Sequence, residues 1–404
     1  MPNALIELIL KRIRSRTDEM SAARGGAVEV PAATAPVAVR EAQFSDFERV
    51  SAMNRRLGQG ADSLENWQRL WRDNPALSGG RIARVGWVLE SGGEVVGFLG
   101  SIPLEVCFGG TSLEAAATCR LAVEPAYRSA THLLVTSFFR QKDVDLFLNT
   151  TATVAAGKIM TALRALPLSQ ADYSEVLFWV LRPRAFAQAV LQRAGFSRGV
   201  STFGSTAGGI ALRADIALRR RWPRGRQRSL AVTEMRVDEM GEDFVAFWAA
   251  REQESAMLFA KRTPEIMRWH FQAPGSTKLA TVLACRKADG MLAGYAVVRH
   301  EPAKDSLQRS VLADLMTASD DPAIIDALIA AAHRSARRAG SVVLEVLGYP
   351  SEIRAVLRRW RPYARRYPAC PYFFKARDAE LQKNLSAPDA WYACPYDGDA
   401  TLWP

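Results

Sequence analysis

The chain has 404 residues, too many for one ordinary core at the usual ~150 residues per domain, so two or three units are expected. Its composition, 49% hydrophobic and 24% charged, is typical of a soluble globular protein, and no apolar run approaches the ~18 residues of a membrane span. The net charge of +11 is informative about binding partners and solubility, but it does not indicate the fold.

The cysteines and histidines exclude two common kinds of site. Five cysteines are scattered without C-x-x-C spacing, and the four histidines show no metal-ligand spacing. We therefore expect no disulfide framework, no metal and a reducing, cytoplasmic location.

Residues 1–36 are expected to lie outside the folded core. Residues 1–16 predict a short amphipathic helix whose basic residues follow the apolar run, the opposite order to a secretory signal. Such a helix is expected to be a frayed terminus or to dock on a partner. If it contacts a membrane, the contact is expected to be peripheral at most. An Ala/Pro/Gly-rich linker follows.

Residues 37–212 alternate strand and helix patterns. Ser45 is the expected N-cap of the first helix, which ends at Gly58, and Gly92-Gly93 marks a hairpin. In chain order we predict strand 37–41, helices 45–58 and 63–75, strands 85–91, 94–110 and 113–123, helix 130–141, strand 144–149, a helix from 153, strand 176–181 and helix 184–196.

Residues 231–404 repeat this order. Gly294-Tyr295 stands where Gly97-Phe98 stands in the first half, which indicates an internal duplication with the Arg-rich residues 213–230 as the linker. The predicted elements are strand 231–237, helices 242–254 and 263–271, hairpin 279–300, strand 310–318, helix 321–340, strand 341–350, helix 351–360 and strand 372–376.

The most specific motif closes strand 113–123. There "VEPAYR", Val123–Arg128, is followed by "SATHLL", which opens an apolar helix. The motif and the element order resemble the GNAT acyltransferase superfamily, in which V-x-P-x-Y-R precedes a glycine-rich loop and a helix. The resemblance implies an α/β (α+β) fold of two GNAT-like domains, each with a mixed, mostly antiparallel sheet flanked by helices. It also implies transfer of an acyl group from acetyl-CoA or another acyl-CoA to an amine or hydroxyl of a small-molecule or sugar-type acceptor.

The loop departs from the family because Ser129, Thr131 and Leu133 stand where the family has glycines or small residues. Helix N-terminal N–H groups carry partial positive charge and bind anions, so hydroxyls and a nearby arginine preserve a phosphate site. A branched Leu133 narrows the path of the diphosphate. The residues that the resemblance implies for donor binding are Leu121, Ala122 and Val123 through their backbone, and Arg128, Ser129, Ala130, Thr131 and His132.

Three residues are candidates for deprotonating the acceptor: Glu114, Glu124 and, through a water, Asn149. Each has a structural alternative, namely a hairpin rim for Glu114, a solvent-facing strand end for Glu124 and helix capping for Asn149. Cys119 on the same strand is either a nucleophile or, as buried cysteines usually are, a small hydrophobe.

The second copy is expected not to bind CoA. Asp320 and Asp321 lie at the start of its corresponding helix, where they suit capping and repel a diphosphate. The tail "WYACPYDGDATLWP", with Tyr392, Tyr396 and Asp399, either closes the second sheet or lines a pocket.

Two alternatives to an acyl-CoA enzyme remain open. An acidic partner such as an acyl carrier protein would suit the Arg-rich stretches 219–228 and 354–366, although such runs are also ordinary solvated surface. A non-catalytic binding or scaffold protein would keep the fold without the donor site. No nucleic-acid partner is expected, since the basic runs lack interleaved aromatics.

Overall fold

The computed structural model describes residues 36–60, 62–223, 230–276, 279–304, 307–319, 321–366 and 371–403. Predictions that concern residues 1–35, residues 224–229 and Asp320 lie outside this part. No helix among the described residues combines the length and hydrophobicity needed to cross a membrane.

The described chain contains fifteen strands. They are β1 (Ala38–Glu41), β2 (Gly86–Ser91), β3 (Glu94–Phe108), β4 (Thr111–Val123), β5 (Leu146–Asn149), β6 (Leu166–Pro167), β7 (Glu175–Val180), β8 (Ala231–Met235), β9 (Phe259–Ala260), β10 (Leu279–Arg286), β11 (Leu292–Lys304), β12 (Leu307–Thr317), β13 (Val343–Val346), β14 (Tyr363–Arg366) and β15 (Phe373–Ala376).

Helices separate the strands. In the described residues they are α1 (Phe47–Arg56), α2 (Leu64–Trp71), α3 (Thr131–Phe139), α4 (Val154–Ala162), α5 (Pro183–Arg193), α6 (Arg198–Leu218), α7 (Glu242–Glu254), α8 (Pro264–Phe271), α9 (Pro322–Arg338), α10 (Ser351–Arg359) and α11 (Ala379–Asn384). Short 3-10 turns occupy Phe44–Asp46, Pro75–Leu77, Pro125–Ala130 and Val237–Glu239.

The strands form two mixed, mostly antiparallel sheets. The first has the order β1-β2-β3-β4-β5-β15-β6, with β9 paired to β3, and the second has the order β14-β7-β13-β12-β11-β10-β8. Each sheet is built around a long antiparallel hairpin, β3/β4 or β11/β12. Each hairpin is followed by one parallel pair, β4/β5 or β12/β13. This is the sheet type that the sequence predicts.

The two halves exchange a strand. β7 comes from the first half of the chain but lies between β14 and β13 of the second sheet, and β15 from the second half lies between β5 and β6 of the first. The sequence pattern predicts β7 and β15 in the sheets of their own halves, and this prediction is wrong because an apolar run does not specify which strand it pairs with. One continuous core joins the sheets and includes Trp71, Trp179, Tyr295 and Trp391. The domain limits at 213–230 stay a prediction.

The two hairpins match in register as the duplication predicts. Gly97 faces Val123 in the first sheet, and Gly294 faces Thr317 in the second. Both hairpins also carry a register shift, between Phe98 and Gly100 in one and between Val297 and Val298 in the other.

Two local expectations differ from the structure. Ser45 lies inside a 3-10 turn, and Gln43 with Asp46 forms the capping box instead. The sequence reading also missed α6, which has 21 residues. Glycines obscured this helix in the sequence, but they allow close packing on α5, since an added Cβ at Gly208 would lie 3.1 Å from Ala187.

Burial of His333 on α9 predicts acid sensitivity. The side chain is buried, and burial together with Arg337 and Arg334 lowers its pKa to about 4. Because unfolding restores a pKa of ~6.5, this group's contribution to stability is complete above that pH and is lost as the pH falls toward 4. The loss is at most about 1.4 kcal/mol per pH unit.

We expect His333→Gln to flatten the fall in unfolding free energy between pH 6.5 and 4.5, measured by urea titration at several pH values. His132→Gln is the matched control because His132 is exposed. An unchanged slope in His333→Gln would contradict the assignment.

Candidate functional site

The parallel strands β4 and β5 separate and leave an open edge. They pair only from Ala115–Leu146 to Ala117–Leu148, after which β5 ends at Asn149 while β4 continues to Val123. In the described chain, no backbone hydrogen bond from another segment replaces β5 along residues 118–123. The polar backbone groups on this edge can pair with an extended ligand. We call this edge, residues 118–123, the β4 slot.

A bulge at Arg120 shapes the β4 slot. Arg120 has φ of 51°, in the left-handed region that non-glycine residues rarely adopt, at the register shift opposite Phe98 and Gly100. Bulges redirect side chains and recur beside active sites. Here the guanidinium lies 3.0 Å from the Asp62 carboxylate and 4.4 Å from the centre of the Trp403 ring.

The corresponding edge in the second copy is filled. β12 and β13 pair only from Arg309–Val343 to Val311–Glu345. Beyond this point the Tyr349 hydroxyl donates to the Leu312 carbonyl at 3.0 Å, and the Tyr396 amide donates to the Ala313 carbonyl at 3.1 Å. The Tyr392 hydroxyl donates to the Leu315 carbonyl. The tail therefore occupies backbone groups that an extended ligand would need.

A buried charge network fixes the tail. Arg262 is fully buried. Its guanidinium donates to both carboxylate oxygens of Asp314 at 3.0 Å and to one carboxylate oxygen of Asp397 at 2.9 Å. The Tyr295 hydroxyl donates to Asp314 at 2.8 Å, and the Ala260 amide donates to Asp397 at 2.8 Å. Burial raises the pKa of Asp397, while the nearby guanidinium opposes that shift.

From this network the tail reaches the end of β5. The Thr150 hydroxyl donates to buried Asp399 at 2.5 Å, and the Trp403 indole donates to the same carboxylate at 3.2 Å. Burial raises the pKa of Asp399. Gly398 is required here, since an added Cβ would lie 2.4 Å from Thr150. Arg69 donates to the Leu402 carbonyl and secures the last part of the tail.

The predicted phosphate loop forms the 3-10 turn Pro125–Ala130 and the start of α3. The Thr131 hydroxyl donates to the Arg128 carbonyl at 2.7 Å, and His132 Nδ1 donates to the Ser129 carbonyl at 2.8 Å. Arg128, Ser129 and His132 are exposed and Thr131 is buried. Leu133 packs partly buried against a core cluster. Arg128 is therefore exposed to a ligand at the helix N-terminus, whereas the Thr131 hydroxyl already donates its proton within the loop.

Three of the other predicted donor-binding residues form the end of the β4 slot, and the fourth precedes α3. Leu121, Ala122 and Val123 are the last residues of β4, and Ala130 is the N-cap of α3 without a side-chain hydrogen bond. Cys119 is buried, and burial raises the pKa of its thiol well above the usual value. This environment disfavours the thiolate that a nucleophile requires.

The three candidate bases are separated. Glu114 lies at the opposite end of β4, where it forms an ion pair with Arg81 at 2.5 Å. About seven residues of extended strand, ~23 Å, separate it from Leu121, so the structure does not bring it to the slot. Glu124 lies at the loop but is paired with Arg56 at 2.7 Å. Asn149 is buried at the end of β5, across from the slot.

A cavity of about 540 Å³ adjoins the bulge and is lined by residues that include Asp62, Glu65, Arg120, Pro274 and Trp403. A second cavity of about 530 Å³ shares Glu65 and Pro274 with it. Four carboxylates (Asp62, Glu65, Asp73, Glu265) and three arginines (Arg69, Arg120, Arg268) line the pair, which we call the acidic groove. The sequence reading missed Asp62 and Arg120, although Arg120 is a charge within an otherwise largely apolar strand pattern. Among the described residues, no group of three His, Cys, Asp or Glu side chains is placed to hold a metal ion.

Comparisons with solved structures show the fold. A GCN5-related N-acetyltransferase from Anabaena variabilis has a TM-score of 0.54 at 11% identity, covering 85% of this chain and 73% of that one. One from Kribbella flavida has 0.52 at 15% identity, covering 86% and 72%. Saccharomyces cerevisiae N-myristoyltransferase, with bound myristoyl-CoA and inhibitors, has 0.52 at 12% identity, covering 94% and 89%.

The similarity confirms the predicted fold, two GNAT-like units with mixed, mostly antiparallel sheets. No family model matches the chain, and no curated protein matches its sequence significantly.

Removing Arg262 is expected to destabilise the protein strongly. Arg262→Met leaves the carboxylates of Asp314 and Asp397 buried without their cation, which typically costs about 3–5 kcal/mol. Urea unfolding measures the difference. The control, Arg236→Met, breaks a fully exposed pair with Asp238, and such surface pairs contribute little to stability. Equal losses in the two variants would contradict the role of the network.

Proposed function

We propose that the chain is an acyltransferase that moves an acyl group from acyl-CoA to an amine, with the donor at the β4 slot of the first copy. The observation that carries this proposal is the contrast between two equivalent edges. The edge of β12 is filled by Tyr349 and by Tyr392 and Tyr396 of the tail, whereas no described segment provides such a partner along residues 118–123 of β4. A non-catalytic scaffold protein without a donor to bind would not explain why the edge of β12 is filled while the edge of β4 is open.

On the donor side, the amides of pantetheine are the extended ligand that suits the β4 slot. The backbone of Leu121, Ala122 and Val123 hydrogen-bonds them as a neighbouring strand would. The CoA diphosphate then meets the turn that opens α3, where the exposed Arg128 and the positive end of the helix dipole favour an anion, although the Thr131 N–H is already bonded to the Arg128 carbonyl. Ser129 and Ala130 line the approach and His132 stands exposed beside it.

On the acceptor side, the acidic groove supports an amine over a hydroxyl. The Asp62 and Glu65 carboxylates line the cavity that touches Arg120, directly before Leu121 in the chain. Carboxylates attract an ammonium group, and the exposed Glu65 carboxylate is accessible to one. The Asp62 carboxylate is already paired with Arg120, so Glu65 is the carboxylate that binds the acceptor's ammonium group.

The chemistry follows from these positions. The neutral amine attacks the thioester carbonyl, the C–N bond forms as the C–S bond breaks, and the CoA thiolate leaves with a proton that the amine has lost. Backbone N–H groups at the bulge stabilise the developing oxyanion. Asn149 orders a water that relays the amine proton, and Glu124 remains in its ion pair.

We expect acetyl-CoA or a longer acyl-CoA to bind and raise the melting temperature. Arg128→Ala is expected to weaken binding by at least about ten-fold, because a charge-assisted hydrogen bond is worth about 1.5–3 kcal/mol. Calorimetric titration with acetyl-CoA and myristoyl-CoA measures it. Arg140→Ala, at the other end of α3 and also exposed, is the matched control. If neither CoA binds but an acyl carrier protein does, the carrier is the donor.

Acceptor charge is tested separately. Glu65→Gln is expected to raise the KM for a primary amine about ten-fold with a smaller change in kcat, because Glu65 attracts the positive charge of the bound ammonium and again the positive charge that the nitrogen gains as the C–N bond forms. Thiol release with a panel of amines and alcohols measures turnover. Glu48→Gln changes an exposed glutamate outside the groove and serves as control. An equal effect of both variants would argue against the acidic groove as the acceptor site.

A further inference from the structure

The outward face of α6 is apolar along most of the helix. Phe203, Ile210 and Leu218 are 87%, 65% and 83% exposed. Ala207, Ala214 and Ala217 are exposed on the same side of the helix, since the spacing of three, four and seven residues keeps one face. We call these six residues the α6 face.

The inward side of the same helix buries Leu212 and Ile216 but also carries polar residues. Ser201, Ser205 and Asp215 are buried. The Ser205 hydroxyl donates to the Thr202 carbonyl at 2.7 Å, and Asp215 is paired with Arg219 and Arg221. A surface helix normally presents a polar face to solvent. The helix therefore has apolar residues on both sides, and a large apolar stripe that points to solvent indicates a surface that another apolar phase covers.

Arginines border the α6 face and line a cavity of about 410 Å³ beside it. The cavity lies against Leu181 and Ile216 and is flanked by Arg213, Arg220 and Arg337. Within the described part of the chain, none of the three arginines forms an ion pair with a carboxylate. The cavity also includes Trp222, which is 40% exposed.

Charge decides what kind of partner fits. Asp215 is the one acidic residue of α6, and it is buried and paired, so the rim of the α6 face is basic. A second copy would bring like charges together along the contact. An anionic lipid surface instead offers phosphates to the arginines and hydrocarbon to the stripe, and tryptophan favours such boundaries.

We propose that the α6 face docks on an anionic phospholipid membrane, with the arginine-flanked cavity receiving a lipid phosphate. The helix lies along the surface over about 31 Å, given its 21 residues at 1.5 Å each. This proposal does not depend on the acyl-transfer chemistry.

Co-sedimentation of the full chain with vesicles tests it. We expect binding to vesicles of phosphatidylcholine with 30% phosphatidylglycerol, little binding to phosphatidylcholine alone, and loss of binding as salt rises. Two triple variants should each reduce the partition coefficient at least ten-fold: Phe203→Ser with Ile210→Ser and Leu218→Ser, and Arg213→Gln with Arg220→Gln and Arg337→Gln.

Matched controls isolate the α6 face from the rest of the surface, including residues 1–16. The apolar control combines Ile82→Ser, Leu279→Ser and Met291→Ser, whose side chains are 66%, 69% and 62% exposed. The charge control combines Arg55→Gln, Lys287→Gln and Lys383→Gln, all at exposed positions.

Three outcomes would overturn the proposal. The first is no binding to anionic vesicles. The second is equal loss in the α6 variants and their controls, which would leave only non-specific attraction. The third is a concentration-dependent dimer in sedimentation velocity that the Phe203, Ile210 and Leu218 variant abolishes, which would make the face a contact between copies. Circular dichroism and melting temperature confirm that each variant is folded.

Discussion

The ion network of Arg262 with Asp314 and Asp397 holds together the features that distinguish the two copies. A buried guanidinium is tolerated only with carboxylate partners and further hydrogen bonds, and here two carboxylates, the Tyr295 hydroxyl and backbone groups supply them. Asp397 belongs to the tail, so satisfying Arg262 also fixes the path of the tail. On one side of Asp397 the tail fills the edge of β12, and on the other it reaches the end of β5.

One segment therefore closes the second copy and helps to build the first. Asp399 accepts a hydrogen bond from Thr150, and Trp403 stacks on Arg120 beside the acidic groove. The exchange of β7 and β15 has the same effect on a larger scale, since each half supplies a strand between two strands of the other sheet. The two halves of the chain form two similar sheets, but neither sheet is complete without a strand from the other half.

The sequence predicts the local elements well because their signals are local. Gly92-Gly93 has positive φ in the hairpin, Asp321 caps α9, and the helix predicted at 130–141 is observed at Thr131–Phe139. Sheet partners are not local, so β7 and β15 were placed with their own halves. The glycines that hid α6 make sense only against α5. The contact of Asp399 with Thr150 spans 249 residues, and no spacing rule in the sequence reports such a pair.

The glycine-free loop shows which part of an anion site depends on residue type. The Thr131 hydroxyl donates within the loop, and Leu133 turns toward the core, so neither replaces a glycine by contacting a ligand. What persists is the backbone, since the first N–H groups of α3 and the edge of β4 exist whatever the side chains are. The bulge places Arg120 toward the acidic groove, and Leu121 follows it on the β4 slot. Donor and acceptor would thus meet within one residue of β4, which is the proximity that acyl transfer requires.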